Sequence, residues 1–203
     1  MSSAEPEGEV VLGHGKFLEL RRRGRWEYAT RPGITEIVVI VALTADGEAV
    51  LVEQHRPPVS AQVIEWPAGL VGDHESPADE DLFSAANREL EEEAGYRASS
   101  FSVLAVGAPS AGMSDERITL LRAEELRKVG EGGGVGHEEI KVHLVPLPEI
   151  DAWLVDRAQA GFVIDIKVYA GLYFVRGEQA YIKTSRSDSA ATPSRPARES
   201  ATP

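Results

Sequence analysis

Three glutamates in the run Arg88-Glu89-Leu90-Glu91-Glu92-Glu93-Ala94-Gly95-Tyr96 have the types and spacing that hold hard cations. At 3.6 residues per turn, Glu89 and Glu93 share one helix face, with Glu92 beside them. Like charges at that spacing repel by a few tenths of a kcal/mol per pair. Such a face either looks at open water, as a solvated acidic stripe does, or gathers divalent ions through carboxylate oxygens. Arg88 opens the run, and Gly95 closes it at the position where a helix is expected to stop.

The elements around this helix must position it. Residues 36–43 (EIVVIVAL) and 49–54 (AVLVEQ) read as β-branched strands joined by a turn at Thr44-Ala45-Asp46-Gly47. A short strand, 63–66, runs into Pro67-Ala68-Gly69. The helix follows over 82–94, with Leu82, Ala86 and Leu90 as its core stripe. Ser76-Pro77-Ala78-Asp79 resembles a helix start, with Ser as cap and Pro at the first position, which predicts a helix lengthened at its N-terminus. Further strands are expected at 101–106, 118–122 and 140–146, and helices at 148–159 and 165–177, the last capped by Asp165. A mixed sheet between helices is the natural outcome. Before it, strands at 10–20 and 24–30 read as an added antiparallel β ribbon. The glycine-rich stretch 130–136 (GEGGGVG) reads as a mobile loop. Residues 1–8 and 184–203 carry few large apolar side chains and read as disordered, leaving a ribbon at 9–34 and a main domain at 35–183.

Composition narrows the function. A net charge of −12 disfavours binding to DNA or RNA, because phosphate contact needs clustered Lys and Arg. A small phosphate-bearing substrate stays compatible if divalent metals neutralise the acids locally. No apolar stretch reaches eighteen residues and no basic, apolar leader is present, so neither a membrane span nor a secretory signal is expected. The absence of cysteine removes disulfides, thiolate nucleophiles and Cys-type zinc sites, and fits a cytoplasmic setting. The five histidines show no metal spacing, and no Gly-x-Ser-x-Gly element supports a serine triad.

The run 88–96 also matches Arg-Glu, aliphatic, any residue, Glu-Glu, any residue, Gly, hydrophobic. That is the second half of the Nudix box, and the chain resembles a Nudix hydrolase over about residues 26–174. The first half departs from the pattern. Gly69 and Glu75 keep the expected first spacing, but twelve residues, not seven, separate Glu75 from Arg88. Glu80 keeps the second spacing, with His74 where Gly is expected. On a lengthened helix Glu80 would face away from Glu89, so Glu75, still in the loop, is the preferred occupant.

Other segments resemble the ADP-ribose and nucleotide-sugar pyrophosphatase branch: Val52-Glu53-Gln54-His55-Arg56-Pro57-Pro58-Val59, Glu65-Trp66-Pro67-Ala68-Gly69, Pro109-Ser110-Ala111-Gly112-Met113-Ser114-Asp115-Glu116, and Glu138-Glu139-Ile140-Lys141-Val142. Ala111 departs from that branch's usual Ser-Pro-Gly. The resemblance implies an α/β/α sandwich with a mixed central sheet, and Mg²⁺- or Mn²⁺-dependent cleavage of a nucleoside diphosphate sugar. ADP-ribose is the leading substrate; GDP-mannose or UDP-glucose is an alternative, and so is a nucleotide-sugar sensor that does not cleave. It implies the Ala68 carbonyl, Glu89 and Glu93 as metal ligands, with Glu92 ligating or bridging through water, and Arg88 orienting the glutamates. Arg56 would grip a phosphate, pair with Glu65, or both. The general base would be Glu138, with Glu139 second and Glu131 a further candidate. Gly112, Met113 and Glu116 would contact substrate. Trp26 and Tyr28 would stack on the base, or be core or interface aromatics. The branch also implies a homodimer, which would cover the open edge of the N-terminal strands.

Overall fold

In the computed structural model the residues described are 8–34, 36–72 and 80–177. The ribbon contains β1 (Val10–His14), β2 (Glu19–Arg23) and β3 (Trp26–Thr30), paired in that order and all antiparallel. Three strands replace the expected two. A bulge between Val11 and Gly13, then a turn closed by Gly15 N–H on the Leu18 carbonyl (2.7 Å), folds 10–20 back on itself.

Two four-stranded mixed sheets form the body. β4 (Glu36–Ala42) turns at Gly47 (φ 77°) into β5 (Glu48–Arg56), and a 3₁₀ turn leads to β6 (Ala61–Glu65) and β7 (Ala68–Val71). Then come α1 (Leu82–Ala94), β8 (Tyr96–Arg97), β9 (Ser100–Gly107), β10 (Ile118–Glu124), β11 (Arg127–Lys128), β12 (Lys141–Pro146), α2 (Ile150–Gln159), β13 (Val163–Ile164) and α3 (Ile166–Arg176). One sheet has the order β7-β4-β10-β9 and the other β12-β5-β6-β13, while β8 and β11 pair separately. Only β4–β10 and β6–β13 are parallel pairs among these strands.

The continuous apolar run of β4 is explained by burial on both faces. Val38 and Ile40 join Val50, Val52, Ala86, Leu90 and Leu121 on the α1 side. Val39 and Val41 join Leu51, Trp66, Ile150, Leu154, Val168 and Leu172 on the α2 and α3 side. The layers are therefore helix, sheets, helices. Trp66 locks the second side: its indole N–H donates to the Val168 carbonyl (3.3 Å), and a Cβ at Gly171 would stand 2.3 Å from that nitrogen.

Two expectations change. α1 starts at Leu82 rather than at 76–79, because the Asp81 carboxylate accepts from the Phe83 and Ser84 N–H groups and caps it there. The stretch 130–136, expected to be a mobile loop, is laced to the end of α1 by backbone hydrogen bonds. Glu75, 1–7 and the tail beyond 177 lie outside the described residues. Asp165 caps α3 as expected, accepting from Lys167 N–H at 2.7 Å. Among the described residues no helix is long and apolar enough to cross a membrane.

Candidate active site

α1 lays Ala85, Ala86, Leu90, Glu93 and Ala94 against the core, so one carboxylate is carried inward with the apolar stripe. Glu93 is 5% exposed and accepts a hydrogen bond from the Ala68 N–H at 3.0 Å. Burial, reinforced by the nearby charge of Glu89, pushes its carboxyl up to about 8 against the pull of the Ala68 N–H. Glu89 lies one turn earlier, directly over β7. A Cβ at Gly69 would stand 1.9 Å from the Glu89 carboxyl carbon, so only glycine leaves room for that side chain.

Arg88 gathers the acids around it. Its guanidinium donates to Glu80 (2.9 and 3.1 Å), to Glu89 (2.7 Å), to Glu92 (3.4 Å) and to the Leu70 carbonyl (3.2 Å). The Glu80 hydrogen bond, with the charge of Glu89, raises its pKa further. This corrects the expectation for Glu80. Since α1 begins after it, Glu80 is not on a far helix face; its carboxylate is buried and bonded to Arg88.

Facing Glu89 and Glu93 across a cleft of about 570 Å³ is the end of β5. Arg56 Nε donates to Glu65 at 2.7 Å, and Arg56 still lines the cleft. Burial opposes its charge, but Glu65, Glu93 and Glu138 outweigh burial and raise its pKa. Ala68, Glu116 and Glu138 line the same cleft. Glu138 is fixed by its loop, accepting from the Val135 N–H at 3.1 Å.

Not every expected residue arrives there. Glu92 and Arg88 line a separate groove of about 650 Å³ between α1 and β9. Glu139 is exposed and does not line the cleft. Trp26 is 59% exposed on the ribbon, and Tyr28 hydrogen-bonds Glu9 there. Neither lines the cleft, nor do Gly112 and Met113; Met113 instead accepts from the Ala29 N–H at 2.9 Å and ties the ribbon to its loop. Glu131, whose side chain is 94% exposed, is not a lining residue either.

Sequence reasoning missed Arg31, His55 and Lys167, all of which line the cleft. Arg31 Nε donates to Glu116 at 2.7 Å, and the Lys167 ammonium is held by Asp165. The signal for Lys167 was a cation in the first turn of a helix, where the dipole disfavours positive charge. Nothing in the pattern around Arg31 set it apart from other surface arginines.

Among the described residues no three carboxylate or imidazole groups are gathered into a closed metal cage. The Glu89 and Glu93 pair nevertheless suits a hard cation. Two neighbouring carboxylates, one driven toward its neutral form by burial, gain from a cation, and Mg²⁺ typically uses one or two carboxylates plus substrate phosphates.

The NUDIX domain model matches residues 34–165. The chain is 36% identical over 121 residues to the methanol dehydrogenase activator of Bacillus methanolicus, and 33% identical over 131 residues to the ADP-ribose pyrophosphatase of Bacillus subtilis. These matches take in 60% and 64% of this chain, and the chain covers only 60% and 63% of those relatives' lengths. It is 30% identical over 157 residues to the ADP-ribose pyrophosphatase of Saccharomyces cerevisiae, across 70% of this chain and 66% of that one. A crystal structure described as an ADP compounds hydrolase superposes with a TM-score of 0.63 at 19% identity, covering 87% of this chain and 95% of its own, which supports the fold.

Proposed function

This chain belongs to the NUDIX family, and we propose that its cleft hydrolyses the diphosphate bond of a nucleoside diphosphate sugar, converting ADP-ribose to AMP and ribose 5-phosphate. The observation that supports this reading is the lining of one cleft by Glu89 and Glu93 on one side and by Arg56, Glu65 and Glu138 on the other. The names of the relatives from Bacillus subtilis and Saccharomyces cerevisiae point to the same substrate.

Glu89 and Glu93 would hold Mg²⁺ or Mn²⁺ together with the Ala68 carbonyl, while Glu92, which lines the groove beside β9, stays outside this ligand set. A cation held there would supply charge screening for the diphosphate and make an attacking water easier to deprotonate. Arg88 acts by holding Glu89 and Glu80 in place. Arg56 contacts a phosphate oxygen, and its Nε bond to Glu65 fixes the plane of the guanidinium for that contact. Glu138 takes the proton from the attacking water, its carboxylate being steadied by the Val135 N–H. Of the two late-loop acids, exposure of Glu139 away from the cleft favours Glu138.

The ribbon at 9–34 serves as a homodimerisation element in this reading. Val10, Val11, Phe17 and Leu20 are between 44% and 63% exposed there, an apolar surface that a second copy would cover.

The test is purified protein with Mg²⁺ or Mn²⁺ against ADP-ribose, GDP-mannose and UDP-glucose, following monophosphate release. Chelator-sensitive turnover favouring ADP-ribose supports the proposal. Preference for another nucleotide sugar keeps the reaction and changes the substrate, and binding without turnover on any of them overturns the enzyme.

A further inference from the structure

The glycine-rich stretch, which reads in sequence as slack, meets the catalytic helix atom by atom. A helix ending at Ala94 leaves its last carbonyls without intrahelical donors. Gly95 (φ 73°) turns back and donates to Glu91. The next two carbonyls are those of Glu92 and Glu93, and Gly134 N–H and Gly133 N–H satisfy them at 2.9 and 3.0 Å. Val129 N–H and Gly130 N–H close on the Gly95 carbonyl at 2.8 and 3.1 Å.

At Gly95, Gly132 and Gly134 this contact admits no side chain. A Cβ at Gly95 would stand 2.3 Å from the Gly130 carbonyl oxygen. One at Gly132 (φ 70°) would stand 2.6 Å from the Glu93 carbonyl oxygen. One at Gly134 (φ 86°) would stand 2.6 Å from Glu138 Cβ and 3.0 Å from its carboxylate. Past the glycines the chain closes on itself: Ile140 N–H donates to the Gly133 carbonyl at 3.1 Å, and Glu138 N–H to the Val135 carbonyl at 3.1 Å.

We propose that Gly130 and Gly132–Gly134 form a positioning strap that fixes Glu138 relative to Glu89 and Glu93 by anchoring its loop to the backbone of Glu92 and Glu93 themselves. This rests on the reading of Glu138 as the base. Two groups that must flank one phosphorus have a narrow tolerance, since a misplacement of about 1 Å costs on the order of a hundredfold in rate. A separate, freely moving loop would not hold that tolerance, whereas a loop bonded to the metal-binding turn moves with it. The strap residues touch no substrate and act through Glu138.

The experiment compares Gly134→Ala and Gly132→Ala with Gly136→Ala in ADP-ribose hydrolysis. Gly136 shares the left-handed backbone (φ 64°) but has nothing within 4 Å of its would-be Cβ, so it reports backbone strain alone. Wild-type turnover tests the functional reading, and the contrast among variants tests the strap. The strap predicts that Gly134→Ala lowers kcat at least tenfold with KM within about threefold and a folded melting profile, while Gly136→Ala stays within about threefold of wild type. Equal kcat losses in Gly134→Ala and Gly136→Ala, or a Gly134→Ala effect confined to KM, would overturn it. If either strap variant fails to fold, amide exchange on the wild type decides: slow exchange at Gly133 and Gly134, matching the end of α1, supports the strap, and exchange at loop rates refutes it.

Discussion

Glu93 makes the metal-free protein sensitive to pH in a direction that can be worked out from its surroundings. Its carboxyl is buried beside Glu89 and ionises near pH 8, against an ordinary value of 4.5. A group whose folded pKa is raised keeps its proton longer in the folded state than in the unfolded one. Its contribution is therefore fully present below about pH 4.5 and lost as pH rises through about 8. Each pH decade across that interval is worth about 1.4 kcal/mol, so the loss is on the order of several kcal/mol. Glu93→Gln keeps a carbonyl oxygen for the Ala68 N–H and removes the charge. Urea denaturation of chelator-treated protein from pH 5 to pH 9 should then show wild type losing stability steeply, and Glu93→Gln losing much less. Mg²⁺ should restore the wild type most at high pH, where the carboxylate is free to bind it, and leave the variant nearly unchanged. Parallel pH slopes for the two proteins without metal would refute the burial of Glu93 against Glu89.

Other substitutions test separate parts of the cleft. Gly69→Ala drives a methyl into the Glu89 carboxyl group, 1.9 Å away, and should weaken Mn²⁺ binding at least tenfold in a calorimetric titration without unfolding the protein. Arg56→Ala should raise KM for ADP-ribose by roughly ten- to a hundredfold, the worth of a charged hydrogen bond of about 1.5–3 kcal/mol. It also strands the buried Glu65 carboxylate, so a lowered melting temperature should accompany it. Glu138→Gln should lower kcat by about 10²–10⁴-fold with metal affinity intact, while Glu139→Gln, outside the cleft, should stay near wild type.

The layered fold was legible because its signals are local and strong. β4 is apolar on both faces, the turn at Gly47 ends it, and α1 stops at Gly95. Ser76-Pro77 has the residue types of a helix start, yet the cap is Asp81, whose carboxylate accepts from the Phe83 and Ser84 N–H groups. That choice decided Glu80, which sits beside Arg88 once the helix begins at Leu82. Glu89 and Glu93 were found through helix periodicity. The same periodicity does not reveal that Glu92 turns toward β9, since that depends on where β7 and β9 pack. Arg31 and Lys167 reach the cleft from the ribbon and from α3, contacts set by tertiary docking with no local signature. The glycines at 130–136 were visible, but their reason was not, because it lies in carbonyls some forty residues earlier.

The central claim is that the Glu89 and Glu93 cleft binds a divalent cation to cleave a nucleotide-sugar diphosphate. Wild type and Glu93→Gln should be compared in one experiment, with AMP release and equilibrium ADP-ribose binding measured with Mg²⁺ and after chelation. The account predicts Mg²⁺-dependent AMP release by wild type, loss of at least two orders of magnitude in Glu93→Gln, and ADP-ribose binding retained by both. Undiminished AMP release from Glu93→Gln, or from the chelated wild type, would contradict it.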